Sequence, residues 1–206
     1  MTTIMANEDR TAALRRIKDQ VLELTSSPLY AYRQSEKNFP VIGEGSHSAA
    51  IMFVGEAPGK NEAKTGRPFV GAAGKILDEL LASIGLPRAE VYITNIVKDR
   101  PPANRDPLPE EIECYGPFLD QQIEIIQPKV IATLGRFSMS YIMTRLGLGA
   151  SLKPISLSHG KLFTAMTSYG SVQILPLYHP AAAIYDRSKL DTIKADFKKV
   201  KELIKL

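Results

Sequence analysis

Of 206 residues, one is cysteine, Cys114, and none is tryptophan. A single thiol excludes an internal disulfide and any metal site built from four cysteines of one chain, and it suits a reducing compartment. No apolar run approaches the ~18 residues that a membrane helix requires. The opening MTTIMANEDR lacks the apolar core of a secretory signal. A soluble, cytoplasmic protein without a membrane partner is expected. Several chemical signatures are also missing. GKNEAKTG does not follow the phosphate-loop order, and no G-x-G-x-x-G follows a strand. There is no H-E-x-x-H, no zinc-type spacing of His and Cys, and no G-x-S-x-G elbow. These absences set aside nucleotide hydrolysis, dinucleotide binding, zinc catalysis and covalent serine hydrolysis.

The residues that are present suffice for a sizeable core, with 44% apolar content. Residues 1–206 are expected to form one domain. The net charge of +4 is a slight pointer to an anionic partner. Leu14, Ile17, Val21 and Leu24 recur at helical spacing, so residues 9 to 25 read as an amphipathic helix. AAIMFV, EVYIT, KVIATL and SVQILPLY read as strands, the last preceded by a short hairpin around KLFTAM. Helices are expected over AGKILDELLASIG, over LPEEIECYGPFLDQQIEIIQ with a kink or break at Gly116 and Pro117, over RFSMSYIMTRLG, and from about Ser188 onward. The last carries Leu190, Ile193, Phe197, Val200 and Ile204 on one face, with Lys194, Lys198, Lys201 and Lys205 as its solvated charges. Four apolar strands separated by helices imply a three-layer α/β/α sandwich around a mainly parallel four-stranded sheet.

In open α/β sheets, ligands bind beyond the carboxyl ends of the strands. The segments there are GEAPG, NIVKDRPPANRDP, GRFS and HPAAAIYDRS. Together they offer an aromatic ring, Phe69, an amide, Asn95, a histidine, His179, and two carboxylates, Glu56 and Glu62. Such a set can stack on a small planar polar ring and hydrogen-bond its edge. Arg67, Lys98, Arg100, Arg105, Arg136 and Arg187 could hold phosphates around it. His47 and His159 lack such surroundings and are taken as structural or surface residues.

GEAPGKNEAKTGRPFVGAAGKILDELL, VYITNIVKDRPPANRDPLPEEIECYGPFL, PKVIATLGRFS and YHPAAAIY occur in an order and at spacings that resemble the family-4 uracil-DNA glycosylases. The likeness runs from about residue 22 to the C-terminus. It implies hydrolysis of the N-glycosidic bond of deoxyuridine in DNA, on a base flipped out of the helix, leaving an abasic site. By motif position, Phe69 would stack on the uracil, Asn95 would pair with its N3 and O4 edge, and Glu62 would sit near C5. His179 would donate to O2 as negative charge grows there. Gly55 and Ala57 belong to the same substrate-binding set. Ala57 stands where strongly active superfamily members resemble GQDPY and carry an aspartate. Glu56, Glu62 and Asn104 are therefore the open candidates for holding the water, beside the backbone of Glu56 and Ala57. Arg67, Arg100, Arg105 and Arg187 are expected on the DNA.

Family-4 enzymes resemble one another in a four-iron four-sulfur cluster held by four cysteines. At those positions this chain has Leu24, Ser27, Asp99 and Cys114, so neither a cluster nor any other metal is expected. Packing by Leu24 and polar contacts by Ser27 and Asp99 are expected to replace the tie between the first helix and the second loop, with Cys114 packing as a small apolar residue. The resemblance implies uracil-containing DNA as partner and a monomer, and docking on a replication clamp is not legible. The alternatives are a relative kept as a DNA-binding module, or one acting on another deaminated base such as hypoxanthine or xanthine.

Overall fold

In the strand Ile51–Gly55 every residue is buried, and alternate side chains point to opposite faces. Met52 and Val54 enter one apolar cluster, and Ile51 and Phe53 enter another. A strand with this pattern must be covered on both sides.

The computed structural model describes residues 7–204, with side chains from 8 to 203. In chain order the helices and strands are α1 (Asn7–Leu22), α2 (Tyr30–Ser35), β1 (Glu44–Gly45), β2 (Ile51–Gly55), α3 (Lys60–Thr65), α4 (Ala72–Ser83), β3 (Tyr92–Asn95) and α5 (Pro109–Ile126). Then come β4 (Val130–Leu134), α6 (Arg136–Arg145), α7 (Ile155–Ser158), β5 (Phe163–Thr167), β6 (Gly170–Leu177), α8 (Ala182–Tyr185) and α9 (Ser188–Ile204). The sheet order is β1-β3-β2-β4-β6-β5. β3, β2, β4 and β6 run parallel, and the two edge strands are antiparallel to their neighbours.

On one face Leu14, Ile17 and Val21 of α1, Tyr115, Leu119 and Ile123 of α5, and Ile142 of α6 pack against the strands. On the other, Leu77, Leu80 and Leu81 of α4 and Ile193, Phe197 and Val200 of α9 do so, with Phe53 and Phe197 stacked at 5.8 Å. The α/β/α sandwich and its four parallel strands are those expected, but among the described residues the sheet has six strands. β5 is the first arm of the expected hairpin, while β1 has only two residues, too few to show an alternation. Of the kink or break expected at Gly116 and Pro117, the break does not occur, and α5 runs continuously through Pro117. Pro117 is exposed, and Gly116 leaves room for Tyr141, whose ring would collide with a side chain there. The placement expected for Ile204 and Lys205 lies outside the described side chains.

The chain leaves β2 for β3 on one side, then crosses to β4 on the other. The loops after β2 and β4 thus diverge at this switch point, and a crevice opens between them.

Candidate active site

A cleft of about 320 Å³ lies beyond the carboxyl ends of the parallel strands. Asn95 ends β3, is 2% exposed, and lines the cleft with an amide oxygen that accepts no hydrogen bond from the described residues. A buried acceptor left open in this way costs about 1–3 kcal/mol unless a ligand or water satisfies it.

Gly55, opposite Asn95 in the β2–β3 ladder, is why the amide and the Phe69 ring fit side by side. A Cβ there would press into Asn95 Oδ1 and lie 2.7 Å from Phe69 Cζ. Phe69 itself has φ 49, a left-handed conformation that a bulky residue adopts only when its surroundings enforce it. Glu62 supplies the enforcement: its Oε1 accepts from the N–H groups of Val70 at 2.8 Å and Gly71 at 2.7 Å. A side chain at Gly74 would overlap the Phe69 carbonyl, so α4 approaches the loop closely only because that position is glycine.

His179 follows β6 and stands 5.7 Å from the Phe69 ring, centroid to centroid. The N–H of Ala181 donates to its Nδ1 at 3.1 Å. Nδ1 is then an acceptor, and the proton of the neutral ring sits on Nε2. Desolvation by the cleft walls pushes its pKa down to about 4 against the opposing pull of Glu62, so the ring is neutral at pH 7. Glu56 shifts the other way. Burial, with the nearby charge of Asp106, pushes it up to about 7 despite Arg136. No hydrogen bond engages its carboxylate among the described residues, in contrast to Glu62.

Ala57, Asn104 and Arg105 also line the cleft. Asn104 Oδ1 accepts from Arg100 Nε at 2.7 Å, which leaves its amide N–H groups as donors for a ligand. The cations behave unequally. Arg105 lines the cleft but forks onto the buried Glu111 at 2.6 and 2.9 Å. Arg67 pairs with Glu44 outside the lining, and Arg136 pairs with Asp106. Arg187 is exposed beyond α8. Lys98 cannot reach a phosphate. It is fully buried, donating to Thr94 Oγ1, Asn95 O and Gln122 Oε1 at 2.9, 2.7 and 2.6 Å, and burial pushes it down to about 7. Among the described residues, no group of three or more His, Cys, Asp or Glu is gathered to hold a metal ion, and no helix is long and apolar enough to cross a membrane.

Residues 42–205 match the family model described as the uracil DNA glycosylase superfamily. The chain belongs to this superfamily. It is 46% identical over 192 residues to the type-4 uracil-DNA glycosylase of Sulfurisphaera tokodaii, covering 93% of this chain and 84% of that protein. The likeness to the type-4 uracil-DNA glycosylase of Archaeoglobus fulgidus is 44% over 92% of this chain and 94% of the relative. For that of Thermotoga maritima it is 38% over 95% and 97%.

Set within the glycosylase superfamily, two features not anticipated from the sequence stand out. Tyr185, 89% exposed, and Ile184, 46% exposed, end the short helix directly after the His179 loop. Arg33 is buried on α2 and ion-paired with Asp99. Two large apolar residues in AAAIYDRS were a signal for the first. The second could not be found without the fold, because its partner lies 66 positions away.

Proposed function

We propose that this chain is a uracil-DNA glycosylase whose cleft takes a uracil flipped out of DNA and hydrolyses its N-glycosidic bond, leaving an abasic site. The observation that carries this reading is the open amide oxygen of Asn95, buried beside a stacking ring. Uracil presents N3–H to that oxygen and O4 to the amide N–H. Cytosine presents the reverse pattern and would leave buried groups unpaired. Phe69 covers the base, and Glu62 shapes the wall by fixing the loop that carries Phe69.

Glu56 is the favoured base among the three candidates. Its carboxylate is open, whereas Glu62 is committed to two backbone N–H groups and Asn104 is no base. Ionised Glu56 takes a proton from water. The water oxygen then bonds to C1′ while the C1′–N1 bond breaks, and its electron pair leaves with uracil. His179 Nε2–H donates to O2 as that negative charge develops, and a neutral donor needs no counter-charge in the pocket. Asn104 offers amide donors to the water or sugar. Arg100, Arg105 and Arg187 take phosphates, and Arg67 adds to them only by exchanging Glu44. Tyr185 is placed to enter the stack that the base vacates, as apolar wedges do in DNA. The protein works as a monomer in the cytoplasm without an iron-sulfur cluster, and 1–206 act as one unit.

The test uses an end-labelled oligonucleotide carrying one uracil, with alkali to cut abasic sites. Wild-type cleavage with deep loss in Asn95→Ala and His179→Ala is expected. Bound but uncut DNA would overturn the reading in favour of a DNA-binding module, and cutting only at deoxyinosine, in a matched oligonucleotide carrying it in place of deoxyuridine, would transfer the reading to hypoxanthine.

A further inference from the structure

The loop that carries Asn104 is braced from behind by a buried polar network. Arg33 and Asp99 are 3% and 1% exposed and meet at 3.0 Å. The same guanidinium donates to the carbonyls of Val21 and Leu22, at 2.9 and 2.7 Å, and so holds the end of α1. Tyr115 of α5 donates to Asp99 Oδ2 at 2.5 Å. Its only proton is thereby used, so the 2.6 Å contact with Ser27 has the serine as donor. One ion pair thus joins α1, α2, the loop after β3, and α5.

Two members of this network, Ser27 and Asp99, stand at positions where family-4 enzymes resemble one another in holding a cluster, and Leu24 and Cys114 stand at the other two. The residues present do not fit one. Only Cys114 is a thiol, Leu24 has no ligating atom, and the Ser27 and Asp99 oxygens are engaged by Tyr115 and Arg33.

The next residue on each side carries the brace toward the cleft. Tyr32, beside Arg33, accepts from Arg100 at 3.4 Å, and Arg100, beside Asp99, donates to Asn104 Oδ1 at 2.7 Å. We infer that Arg33 and Asp99 are positioning residues for the glycosylase reaction: their buried ion pair sets Arg100, which sets Asn104 at the cleft, in place of a metal cluster. This rests on the glycosylase reading above. A carboxylate with a guanidinium and a phenol as donors fixes the loop by direction as well as by distance.

The test is a cycle of Asp99→Asn and Asn104→Ala, read by single-turnover uracil release and by thermal unfolding. Asp99→Asn is expected to slow release about tenfold, the scale of a sub-ångström misplacement. In the Asn104→Ala background it should slow release no further, while the unfolding temperature falls in both. Equal slowing in both backgrounds would reduce Asp99 to a purely structural residue and overturn the inference. So would iron and acid-labile sulfide in stoichiometric amounts in the purified wild-type protein. Should Asp99→Asn not fold, Tyr32→Phe breaks the relay one step later, leaves the brace intact, and must show the same dependence on Asn104. If wild type releases no uracil, the glycosylase reading falls and the relay is still decided by NMR. The side-chain amide resonance of Asn104 must shift in Tyr32→Phe, and an unmoved resonance would overturn the inference.

Discussion

The raised pKa of Glu56 makes a pH profile the sharpest test of its role. With the midpoint at about 7, about a tenth of the carboxylate is ionised at pH 6 and about nine-tenths at pH 8, so a rate that needs the base rises about tenfold between them. His179, at about 4, stays neutral throughout and adds no slope. Asp106→Asn should move the midpoint down, since it removes the charge that raises Glu56 and frees Arg136 to lower it further. The assay is single-turnover release from a uracil oligonucleotide at constant ionic strength. Burial also brings Lys98 to about 7, and Glu56→Gln separates the two. A slope that survives in Glu56→Gln, or a flat wild-type profile, would refute the assignment. Stability should move oppositely to activity. The folded pKa lies above the unfolded 4.5, so the stability tied to the proton is full below 4.5 and lost as pH rises through about 7. At full burial a rise from 4.5 to about 7 corresponds to about 3 kcal/mol, and the partial exposure of Glu56 reduces this to about 1–2 kcal/mol. Glu56→Gln should therefore be inactive yet more stable than wild type at pH 8, and not at pH 4.

Three further outcomes follow from the geometry. Gly55→Ala drives a methyl into Asn95 and Phe69. It should cost about 1–3 kcal/mol in denaturant unfolding and about a hundredfold in release rate, and an unchanged rate would remove Asn95 from base reading. His179→Ala deletes one donor to the leaving base and should slow single-turnover release by about 10²–10³-fold with DNA affinity nearly unchanged in a gel shift. Tyr185→Ala should impair release from duplex DNA by more than from single-stranded DNA, where no helical stack is left open; equal effects on both substrates would rule out a wedge.

The legible parts of the fold were those whose signal is local. The four parallel strands are runs buried on both faces, and an apolar run announces itself wherever it folds. Within the sheet β1 pairs with β3, with Glu44 opposite Ile93 and Gly45 opposite Tyr92, and nothing in two residues encodes a partner 48 or so positions on. The break expected in α5 assumed that local propensity governs there. Pro117 faces solvent, while Tyr115, Leu119 and Ile123 on the buried side anchor the helix to α1 and the sheet through one continuous stripe, and that packing outweighs a missing hydrogen bond.

Within the cleft the same division holds. Glu56, Phe69, Asn95, Asn104 and His179 were legible because glycine-rich or polar loops at strand ends have few structural uses for them, and the fold brings all five to one cavity. What each can do depends on partners that local sequence does not specify. Glu56 in the loop after β2 and Glu62 on α3 are carboxylates six residues apart, yet two backbone N–H groups commit the second and none among the described residues engages the first. Lys98 and Arg100 look alike as phosphate ligands in KDR, but Gln122 of α5 draws the lysine inward beneath Asn95, leaving Arg100 to hold Asn104. A lysine chosen for phosphate would be wasted under the pocket floor. There it serves a different end: three acceptors beneath the Asn95 side-chain amide, the Asn95 carbonyl among them, are gathered by one lysine, which fixes the backbone of Asn95 while its side-chain oxygen is left open to the cleft.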